Sequence, residues 1–472
     1  MRAKILCSIL IMLPDIIMFS VISQTGLHAF GLQGFASFKT GEHLKMSTLE
    51  KRTIPTTSGT RAPSYEALIE HDRVHSSLYT STAIFEDEMD RLFYRGWVFV
   101  GHESEIPNPN DYLTRMIGLE PVIMVRTKEG AVSVLSNRCA HRGNLLCPRQ
   151  SGNARTFVCD YHGWTYSHTG ELLSVPYRGG EAVDRSCLSL QKPARTDQCG
   201  GFVFVTFNPD SEPLGEYLGA AKGLIESTVS LSPTGRINLT AGWAKLHFQA
   251  NWKMLPENST DGYHAPFTHS SFLRTFAPNS QYEMLTQGED ERKSRAIDWG
   301  RGHVALDHVP SYERPLQWLG TTEDKVPEYV TAMEESYGPV LARKKLMEGP
   351  VHATIFPNLF LGEMNVAIFQ PISVDECVLW STPILLEGVT DSLNHRLIRQ
   401  SQAAMGPASF LLADDSVISE RQQVALEGRG GWLDLSRGLL REKRHEHMIE
   451  SHISDETTNR GFWTHYLKVM QA

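Results

Sequence analysis

The sequence has no basic excess, few cysteines and no long uninterrupted apolar segment. Its 472 residues include 45 lysines and arginines against 54 aspartates and glutamates, and this net charge of −9 argues against nucleic acid as the main partner. Seven irregularly spaced cysteines do not form a secreted disulfide scaffold and indicate a cytoplasmic location. No strand followed by Gly-x-Gly-x-x-Gly occurs, so the chain has no nicotinamide or flavin fingerprint of its own.

The first 45 residues are the least typical part of the chain. After two basic residues comes an apolar run like that of a signal peptide, but Pro14 and Asp15 interrupt it, so we expect no membrane span. The twin-arginine pair of exported cofactor-loaded proteins is missing from this run. We therefore expect Met46 to be the genuine start and residues 1–45 to be non-native or disordered, which an intact mass of the native protein would test.

The rest of the chain mixes helical and strand patterns, which predicts an α+β fold. Apolar residues at helical spacing predict two short helices between Ser64 and Tyr94, the first over 64–77, within an N-terminal helical segment at 46–96. Short runs of β-branched and aromatic residues between turn signals predict a small antiparallel β domain at 97–209. Residues 210–472 form a larger α+β domain. In it, helices are predicted at 326–348 and 394–406, and strands at 352–372 and 376–388.

Two loops in the β domain each pair a cysteine with a histidine. The four residues are Cys139, His141, Cys159 and His162. Such a set can hold a [2Fe–2S] cluster asymmetrically, with the thiolates on one iron and the imidazoles on the other. Gly143 and Gly163 allow tight turns beside the ligands, and we expect their amides to donate towards the sulfurs. A Cys2His2 zinc site is the alternative, although zinc sites usually pair cysteine with cysteine and histidine with histidine.

A second cluster of metal-ligand residues lies in the run NWKMLPENSTDGYHAPFTH, residues 251–269. Asp261 and His264 stand at i and i+3, so on a helix they would share a face. His264 and His269 are five positions apart, and we expect Pro266 to break the helix so that both imidazoles converge.

Two histidines and one carboxylate suit non-haem Fe(II) and leave positions open for O2. The third ligand is expected from the run GPASFLLADDSV, where Asp414 and Asp415 follow an apolar stretch. The alternative is that these are ordinary surface or capping residues, because such triads have no tight spacing rule.

The two motifs together resemble the large (alpha) subunit of the Rieske non-haem iron aromatic-ring-hydroxylating oxygenases, over nearly all of the chain from Met46. Respiratory Rieske proteins carry a further cysteine in each loop, and these pair as a disulfide. Here Asp160 follows Cys159, and Cys147 is interpreted as a small buried hydrophobe. The resemblance implies a Rieske domain at 97–209 and a helix-grip catalytic domain, with an antiparallel sheet, at 210–472.

The resemblance also implies roles for individual residues. The mononuclear iron ligands would be His264, His269 and Asp415. Asp261 would be the catalytic bridge from an iron-bound histidine to a Rieske histidine, here His162, of the neighbouring subunit in a head-to-tail homotrimer. Asn258 would lie near the iron as a weak ligand or non-ligand. The spacing from Asn258 to Asp261 is closest to that of the benzoate-type members.

The implied function is cis-dihydroxylation of an aromatic compound in its catabolism. Electrons from NAD(P)H would arrive through a separate reductase, with or without a ferredoxin, and a small beta subunit would join the trimer. One alternative is a monooxygenase, a hydroxylase or demethylase, acting on an aromatic carboxylate. Another is an electron carrier with a vestigial iron site, which would hold two irons where the complete enzyme holds three.

An apolar pocket for a flat ring is expected beside the iron. By position its lining residues would be Phe267, Phe360, Leu361, Phe410 and Leu411. Each of these is equally well an ordinary core residue. Arg274 follows the iron stretch, and we expect it to be a solvated surface residue rather than a substrate ligand.

Overall fold

The computed structural model describes most of the chain, namely residues 12–13, 16–17, 64–177, 185–275, 288–362, 364–407 and 409–472. The chain divides into two units, Met1–Thr60 and Arg61–Ala472. In the first, strand Met12–Leu13 pairs antiparallel with Ile16–Ile17. The remainder of the prediction for residues 1–45 lies outside the described residues.

The second unit begins with a hairpin where the first of two helices was predicted. A 3-10 turn, Tyr65–Ala67, leads into strands Ile69–Glu70 and Arg73–His75, and only then come helices Ser77–Thr80 and Thr82–Glu88 and the π-helical turn Met89–Tyr94. The predicted helix over 64–77 is therefore wrong. Its apolar residues also fit a strand, and Arg73–His75 gains a third strand, Trp432–Asp434, from far along the chain.

The next part consists of short antiparallel strands, as predicted. One sheet has four strands in the order Val132–Ser136, Glu120–Arg126, Asp111–Ile117 and Ser151–Asn153. A second has three, Arg195–Cys199, Phe202–Thr206 and Val98–His102. The third is the small sheet Phe157–Val158, Thr165–Tyr166 and Leu172–Ser174.

A nine-stranded antiparallel sheet dominates the C-terminal half. Its order is Ala244–Phe248, Glu376–Pro383, Asn365–Ser373, Leu359–Gly362, His352–Ile355, Val304–Asp307, Arg295–Asp298, Ile449–His452 and Lys443–Arg444. A short pair, Ile237–Asn238 with Leu385–Leu386, lies outside it. The strands predicted within 352–372 and 376–388 are confirmed, and residues on both faces of the central strands are buried because helices cover the sheet.

The α-helices of this half are Leu214–Leu218, Lys222–Val229, Met254–Ser259, Ala265–Thr268, Ser270–Leu273, Pro327–Tyr337, Pro339–Glu348, Asp391–Met405, Phe410–Leu426 and Thr457–Gln471. The helix predicted at 326–348 is divided by Gly338 and Pro339, because proline starts a helix readily but cannot continue one. None of the helices in the described ranges is both long and apolar enough to cross a membrane.

One apolar core crosses the predicted domain boundaries. It joins Val98 and Val100 of the small sheets to Phe248 and Trp252 of the catalytic half and to Trp463 of the C-terminal helix. The boundaries at 97 and 209 remain predictions, because burial is continuous there. The combination of small antiparallel sheets with a larger helix-covered sheet is the α+β architecture that was expected.

A buried ion pair lies in this core, directly before the Met254–Ser259 helix. Nζ of Lys253 lies 2.6 Å from Oε1 of Glu88, and both side chains are 0% exposed. Tyr466 donates to the same oxygen at 2.6 Å, and Trp252 donates to Oε2 at 2.8 Å. The carboxylate is therefore satisfied without water, which a buried charge requires.

Candidate metal centres

The two cysteine–histidine loops adopt the same turn. Cys139 and Cys159 are 2% and 1% exposed, and each accepts at its carbonyl oxygen from a glycine amide, Gly143 at 2.9 Å and Gly163 at 2.8 Å. Both glycines have positive φ, 73° and 71°, a conformation that favours glycine. The tight turns are confirmed. The expectation that these amides donate towards the sulfurs is wrong, because closing the turn uses them.

The two histidines of these loops meet at the surface. Nδ1 of His141 lies 3.1 Å from Nδ1 of His162, so the two imidazoles converge above the buried thiols. The ring of Trp164 stacks on His141 with 4.6 Å between centroids and 11° between planes. Stacking restricts rotation of the ligand ring, which helps to preorganise the site.

A tyrosine hydroxyl lies within hydrogen-bonding distance of one of the cysteine sulfurs. Oη of Tyr166 lies 3.2 Å from Sγ of Cys139, and the amide of Ala140 donates to the same oxygen at 3.2 Å. Because the hydroxyl already accepts from an amide, its proton is available to the sulfur. Sequence reasoning missed this residue, and no spacing rule points to it. Nδ2 of Asn144, at 3.7 Å, donates more weakly to Cys159.

Cys147 lies near the cluster loops but is not a ligand candidate. It is buried, and burial raises the pKa of its thiol to about 12, so the thiol stays protonated. Its backbone amide and carbonyl are both held by the side chain of Asn137. The interpretation of Cys147 as a small buried hydrophobe agrees with this environment.

The four loop ligands fit a two-iron cluster better than one zinc ion. Ligand atoms around tetrahedral zinc would lie within roughly 4 Å of one another. In the described part of the chain, a group of three or more His, Cys, Asp or Glu residues whose ligand atoms lie within 4.8 Å of one another occurs at His264, His269 and Asp415. The four loop residues do not form such a group, so their ligand atoms are spread more widely than those of a zinc site. Thiolates on one side and imidazoles on the other are what a Rieske cluster requires.

This second group converges at one point. Nε2 of His264 and Nε2 of His269 are 3.2 Å apart, and Oδ1 of Asp415 lies 3.6 Å from the first and 3.2 Å from the second. Two imidazoles and a carboxylate on one side of a point leave the other side open, which suits non-haem Fe(II).

The iron stretch is not one helix. Helix Met254–Ser259 ends before Asp261, and Ala265–Thr268 begins a new one with Pro266 in its first turn. The expectation that Pro266 breaks the helix is therefore wrong, because proline is accommodated at a helix start. The break comes earlier, where Gly262 passes so close to Ile453 that a Cβ would lie 2.5 Å from its carbonyl oxygen.

The carboxylate pair comes from the Phe410–Leu426 helix, which Ser409 caps by accepting from the amide of Leu412 at 3.1 Å. Asp415 reaches the Nε2 side of His269, whereas Oδ2 of Asp414 lies 3.5 Å from Nδ1 of the same ring. Successive helix residues differ by about 100° in direction, so the two carboxylates approach the ring from different sides. The role of Asp414 was not predicted.

Asp261 and Asn258 both contact this group. Oδ1 of Asp261 accepts from the amides of Tyr263 at 2.6 Å and His264 at 3.4 Å, and its Oδ2 lies 3.3 Å from Nδ1 of His264. Burial alone would lower the pKa of His264, but Asp261 and Asp415 raise it above its ordinary value. Nδ2 of Asn258 donates to Oδ1 of Asp415 at 3.3 Å.

A largely apolar cavity adjoins these three candidate ligands. Of the expected lining residues, Phe360 and Leu411 line it. Leu361 does not, because strand alternation places it on the opposite face of the sheet, in a different core cluster. Phe267 is 69% exposed, and the side chain of Phe410 lies outside the described residues.

Arg274 is exposed and does not line the cavity, as expected. The lining residues that were not predicted include two histidines, His308 and His352. His308 follows strand Val304–Asp307, and His352 begins strand His352–Ile355. Neither has a sequence neighbour that marks it as a site residue, so only the folded sheet brings them to the cavity.

A Rieske-type cluster site, together with a two-histidine, one-carboxylate site beside an apolar cavity, defines an iron-dependent oxygenase. Comparison with known families agrees. Residues 96–188 match the Rieske [2Fe-2S] domain, and residues 239–472 match the ring hydroxylating alpha subunit (catalytic domain).

Characterised relatives cover most of the chain. The large oxygenase component of the 2,4-dinitrotoluene dioxygenase system of Burkholderia sp. (strain RASC) is 31% identical over 411 residues, 82% of this chain and 89% of that protein. The 2-halobenzoate 1,2-dioxygenase large subunit of Burkholderia cepacia is 31% identical over 386 residues, 78% of this chain and 80% of that protein. A solved structure of a naphthalene 1,2-dioxygenase variant bound to phenanthrene has a TM-score of 0.77 at 27% identity, covering 87% of this chain and 96% of that one.

The chain therefore belongs to the large (alpha) subunits of the Rieske non-haem iron ring-hydroxylating oxygenases. It is a dioxygenase component that uses a Rieske [2Fe–2S] cluster and a mononuclear iron, and it works in a system with other components. The predicted family, fold class and cofactors are confirmed. The zinc site and the simple electron carrier do not fit this family.

Proposed function

We propose that this oxygenase dihydroxylates a neutral aromatic ring at an iron bound by His264, His269 and Asp415. The cluster would be held by Cys139, His141, Cys159 and His162. The observation that supports the proposal is the convergence of three ligand atoms within 4.8 Å beside an apolar cavity. The named relatives act on a dinitrotoluene, a halobenzoate and naphthalene, so the ring is common to them and its substituents differ.

The chain's own residues would hold the ligands in place. Asp261, fixed by two backbone amides, places Oδ2 3.3 Å from Nδ1 of His264, and a proton on that nitrogen would leave Nε2 of the ring for the metal. Asp414 does the same for His269, and Asn258 orients the Asp415 carboxylate. When bound, iron would supply O2 activation and the cluster would supply electrons.

The charge of the cavity favours a neutral substrate. Neither lysine nor arginine is among the described residues that line it. The iron would then be the cation nearest to a buried substrate carboxylate, and without a lysine or arginine to pair with it we expect an aromatic carboxylate to bind less well than a neutral ring. This observation disfavours the alternative of a monooxygenase on an aromatic carboxylate, and also the benzoate-like hint in the Asn258–Asp261 spacing.

Electron delivery requires partners. The chain has no dinucleotide fingerprint, so a reductase, with or without a ferredoxin, would reduce the cluster. Asp261 keeps 24% of its side chain exposed, and His162 lies at the surface of the cluster loops. These two partly exposed groups support a head-to-tail homotrimer, with or without a beta subunit, in which Asp261 of one subunit meets His162 of the next. We place the assembly in the cytoplasm.

The domain boundaries stay part of this proposal. The segment 46–96 would pack on the catalytic domain, 97–209 would be the Rieske domain, and 210–472 would carry the mononuclear iron. The hydrogen bond from Tyr79 to Glu257, 2.8 Å long, supports packing of the first segment against the iron stretch.

The product under 18O2 tests the reaction directly. Reduced enzyme with its redox partners would be given naphthalene, nitrobenzene and benzoate in turn. We expect two labelled oxygens in one product from a neutral ring and little turnover of benzoate. A single labelled oxygen would establish a monooxygenase, and preferential turnover of benzoate would contradict the proposed substrate class.

Replacing Asp261 tests the electron route. Asp261→Asn should keep three irons per protomer, yet the reduced cluster should stay reduced when substrate and O2 are added, and turnover should nearly disappear. Asp324→Asn changes an exposed carboxylate in the 3-10 turn Glu323–Lys325 and serves as the matched control. Near-normal cluster oxidation in Asp261→Asn would show that electrons take another route.

A further inference from the structure

Two histidines stand between the iron cavity and a second cavity. Leu306, His308 and His352 line both spaces, so their side chains form a shared wall. The two imidazoles meet edge to face, with 5.6 Å between centroids and 88° between planes. On its other side the wall faces a cavity lined by Leu224, Trp299 and Tyr312, among others.

His352 is committed to the protein. Its Nε2 donates to the carbonyl oxygen of Ser259 at 2.7 Å, at the end of the Met254–Ser259 helix. Its ring also packs edge-on against Phe360, with 5.0 Å between centroids. His352 therefore positions the backbone that leads to Asp261 and contributes a fixed surface to the wall.

His308 is held by one nitrogen only. Its Nδ1 lies 3.3 Å from Oγ of Ser294, which in turn lies 2.8 Å from Oγ of Ser311. Within the described ranges, Nε2 of His308 forms no hydrogen bond to the protein. Burial and the neighbouring His352 lower the pKa of His308 to about 3, so the ring is neutral and carries one donor and one acceptor.

Nε2 of His308 differs from the other polar groups of the cavity in its position on the wall. Its other polar lining residues, apart from His352, all lie in the iron stretch or on the Phe410–Leu426 helix. The remaining lining residues are apolar, among them Phe248, Leu379 and Met405. His308 is half-buried and its Nε2 has no hydrogen bond to the described residues, so a ligand in the cavity that supplies a partner gains a hydrogen bond in largely apolar surroundings.

Resting on the proposed function, we propose that Nε2 of His308 hydrogen-bonds a neutral polar substituent of the aromatic substrate, such as a nitro, carbonyl or hydroxyl group. His308 is thus a specificity-determining residue. It selects polar-substituted rings over plain ones and determines which edge of the ring faces the iron. A neutral imidazole carries no charge to balance a carboxylate, so the preference is for uncharged substituents.

The test uses probes of similar size, toluene, nitrobenzene and phenol, on the metal-loaded enzyme. His308→Leu removes the hydrogen bond, and His308→Gln keeps a donor and an acceptor. His395→Leu, at an exposed position on the Asp391–Met405 helix, is the matched control. Anaerobic dissociation constants, kcat/KM and iron content are measured for each variant.

We expect His308→Leu to weaken binding and lower kcat/KM for nitrobenzene and phenol by about tenfold, the usual value of one buried hydrogen bond, and to change toluene less than twofold. Iron should stay at three per protomer, and His308→Gln should recover part of the loss. Equal losses on all three probes, or no loss on any, would overturn the proposal.

The two proposals can fail separately. If the wild type oxygenates none of the probes, the proposed substrate class is wrong, and the binding ratios then decide the role of His308 alone. A nitrobenzene-to-toluene affinity ratio that is unchanged in His308→Leu overturns that role. A ratio that falls about tenfold supports it even without turnover.

Discussion

The two candidate metal centres are built in opposite ways. The four cluster ligands come from two neighbouring loops between 139 and 162, and the turns that present them close within each loop. The iron group combines the 251–269 stretch with a carboxylate on another helix, and Asn258 and Asp415 are 157 positions apart. The cluster site is thus a local structure, whereas the iron site exists only once distant parts have packed.

The supporting contacts differ in the same way. Around the cluster, Tyr166 and Trp164 act from the loop or the strand beside it. Beneath the iron stretch, Glu88 from the N-terminal segment and Trp463 from the C-terminal helix reach the Met254–Ser259 helix or the residue before it. We therefore expect mutations remote in sequence to affect the iron site more than the cluster.

Removing the distant carboxylate should have the largest effect. Asp415→Ala should lower the iron content from three to two per protomer and abolish turnover, while the cluster keeps its absorption and electron paramagnetic resonance spectra. Asp414→Asn, which alters only the contact to Nδ1 of His269, should keep three irons and lose roughly 10- to 100-fold in activity. Loss of the cluster in Asp415→Ala would show that the two centres do not assemble independently.

Breaking the buried ion pair between Lys253 and Glu88 should have the second-largest effect. Lys253→Met leaves the Glu88 carboxylate buried without its cation and should lower the free energy of unfolding by roughly 3–5 kcal/mol, as measured by urea denaturation. The control is Lys222→Met, which breaks an exposed ion pair with Glu226 and should change the free energy of unfolding by less than about 1 kcal/mol. If the iron site depends on packing between distant segments, Lys253→Met should also lose mononuclear iron before it loses the cluster.

Glu257, which accepts hydrogen bonds from Trp463 and Tyr79, should give the stability a pH dependence of intermediate size. Burial raises its pKa from 4.5 to about 7, despite hydrogen bonds from Trp463 and Tyr79 that favour the anion. Because the folded state holds this proton more tightly, its contribution to stability is complete below pH 4.5 and is lost as the pH rises through 7.

Glu257→Gln mimics the protonated form and should remove this loss. The difference in unfolding free energy between wild type and variant should change by on the order of 3 kcal/mol between pH 4.5 and 8, in favour of the variant at high pH. Denaturant titrations at several pH values measure it. A difference that does not vary with pH would show that Glu257 is ionised throughout.

The smallest effect is expected at the cluster. Tyr166→Phe removes the hydroxyl near Sγ of Cys139 and should lower the reduction potential, because hydrogen bonds to the sulfurs stabilise the reduced cluster. Tyr112→Phe, in the same core cluster, forms the control. A redox titration followed by electron paramagnetic resonance measures both, and an unchanged potential in Tyr166→Phe would show that its proton does not reach the sulfur.

The strands were predicted well because their signal is local. Runs such as Asp111–Ile117 and Glu376–Pro383 are rich in β-branched and aromatic residues. The helix predicted at 64–77 failed because its actual strand gains stability from Trp432–Asp434, a partner that no local pattern reveals. The pocket prediction succeeded at Phe360 and failed at Leu361 because only strand register decides which of two neighbours faces the cavity.

Local sequence features were sufficient to predict the chemistry of this protein. Ligand types and their spacing, Cys-x-His with Cys-x2-His and the carboxylate–histidine stretch, are local properties, and they predicted both candidate centres and indicated the family. Other features follow from the folded chain: which carboxylate meets which side of His269, the contacts of Tyr166 and Asp414, and the position of His308 at the cavity. Those features depend on helix rotation, strand register and chain segments far apart in sequence, and they become defined only when the core is packed.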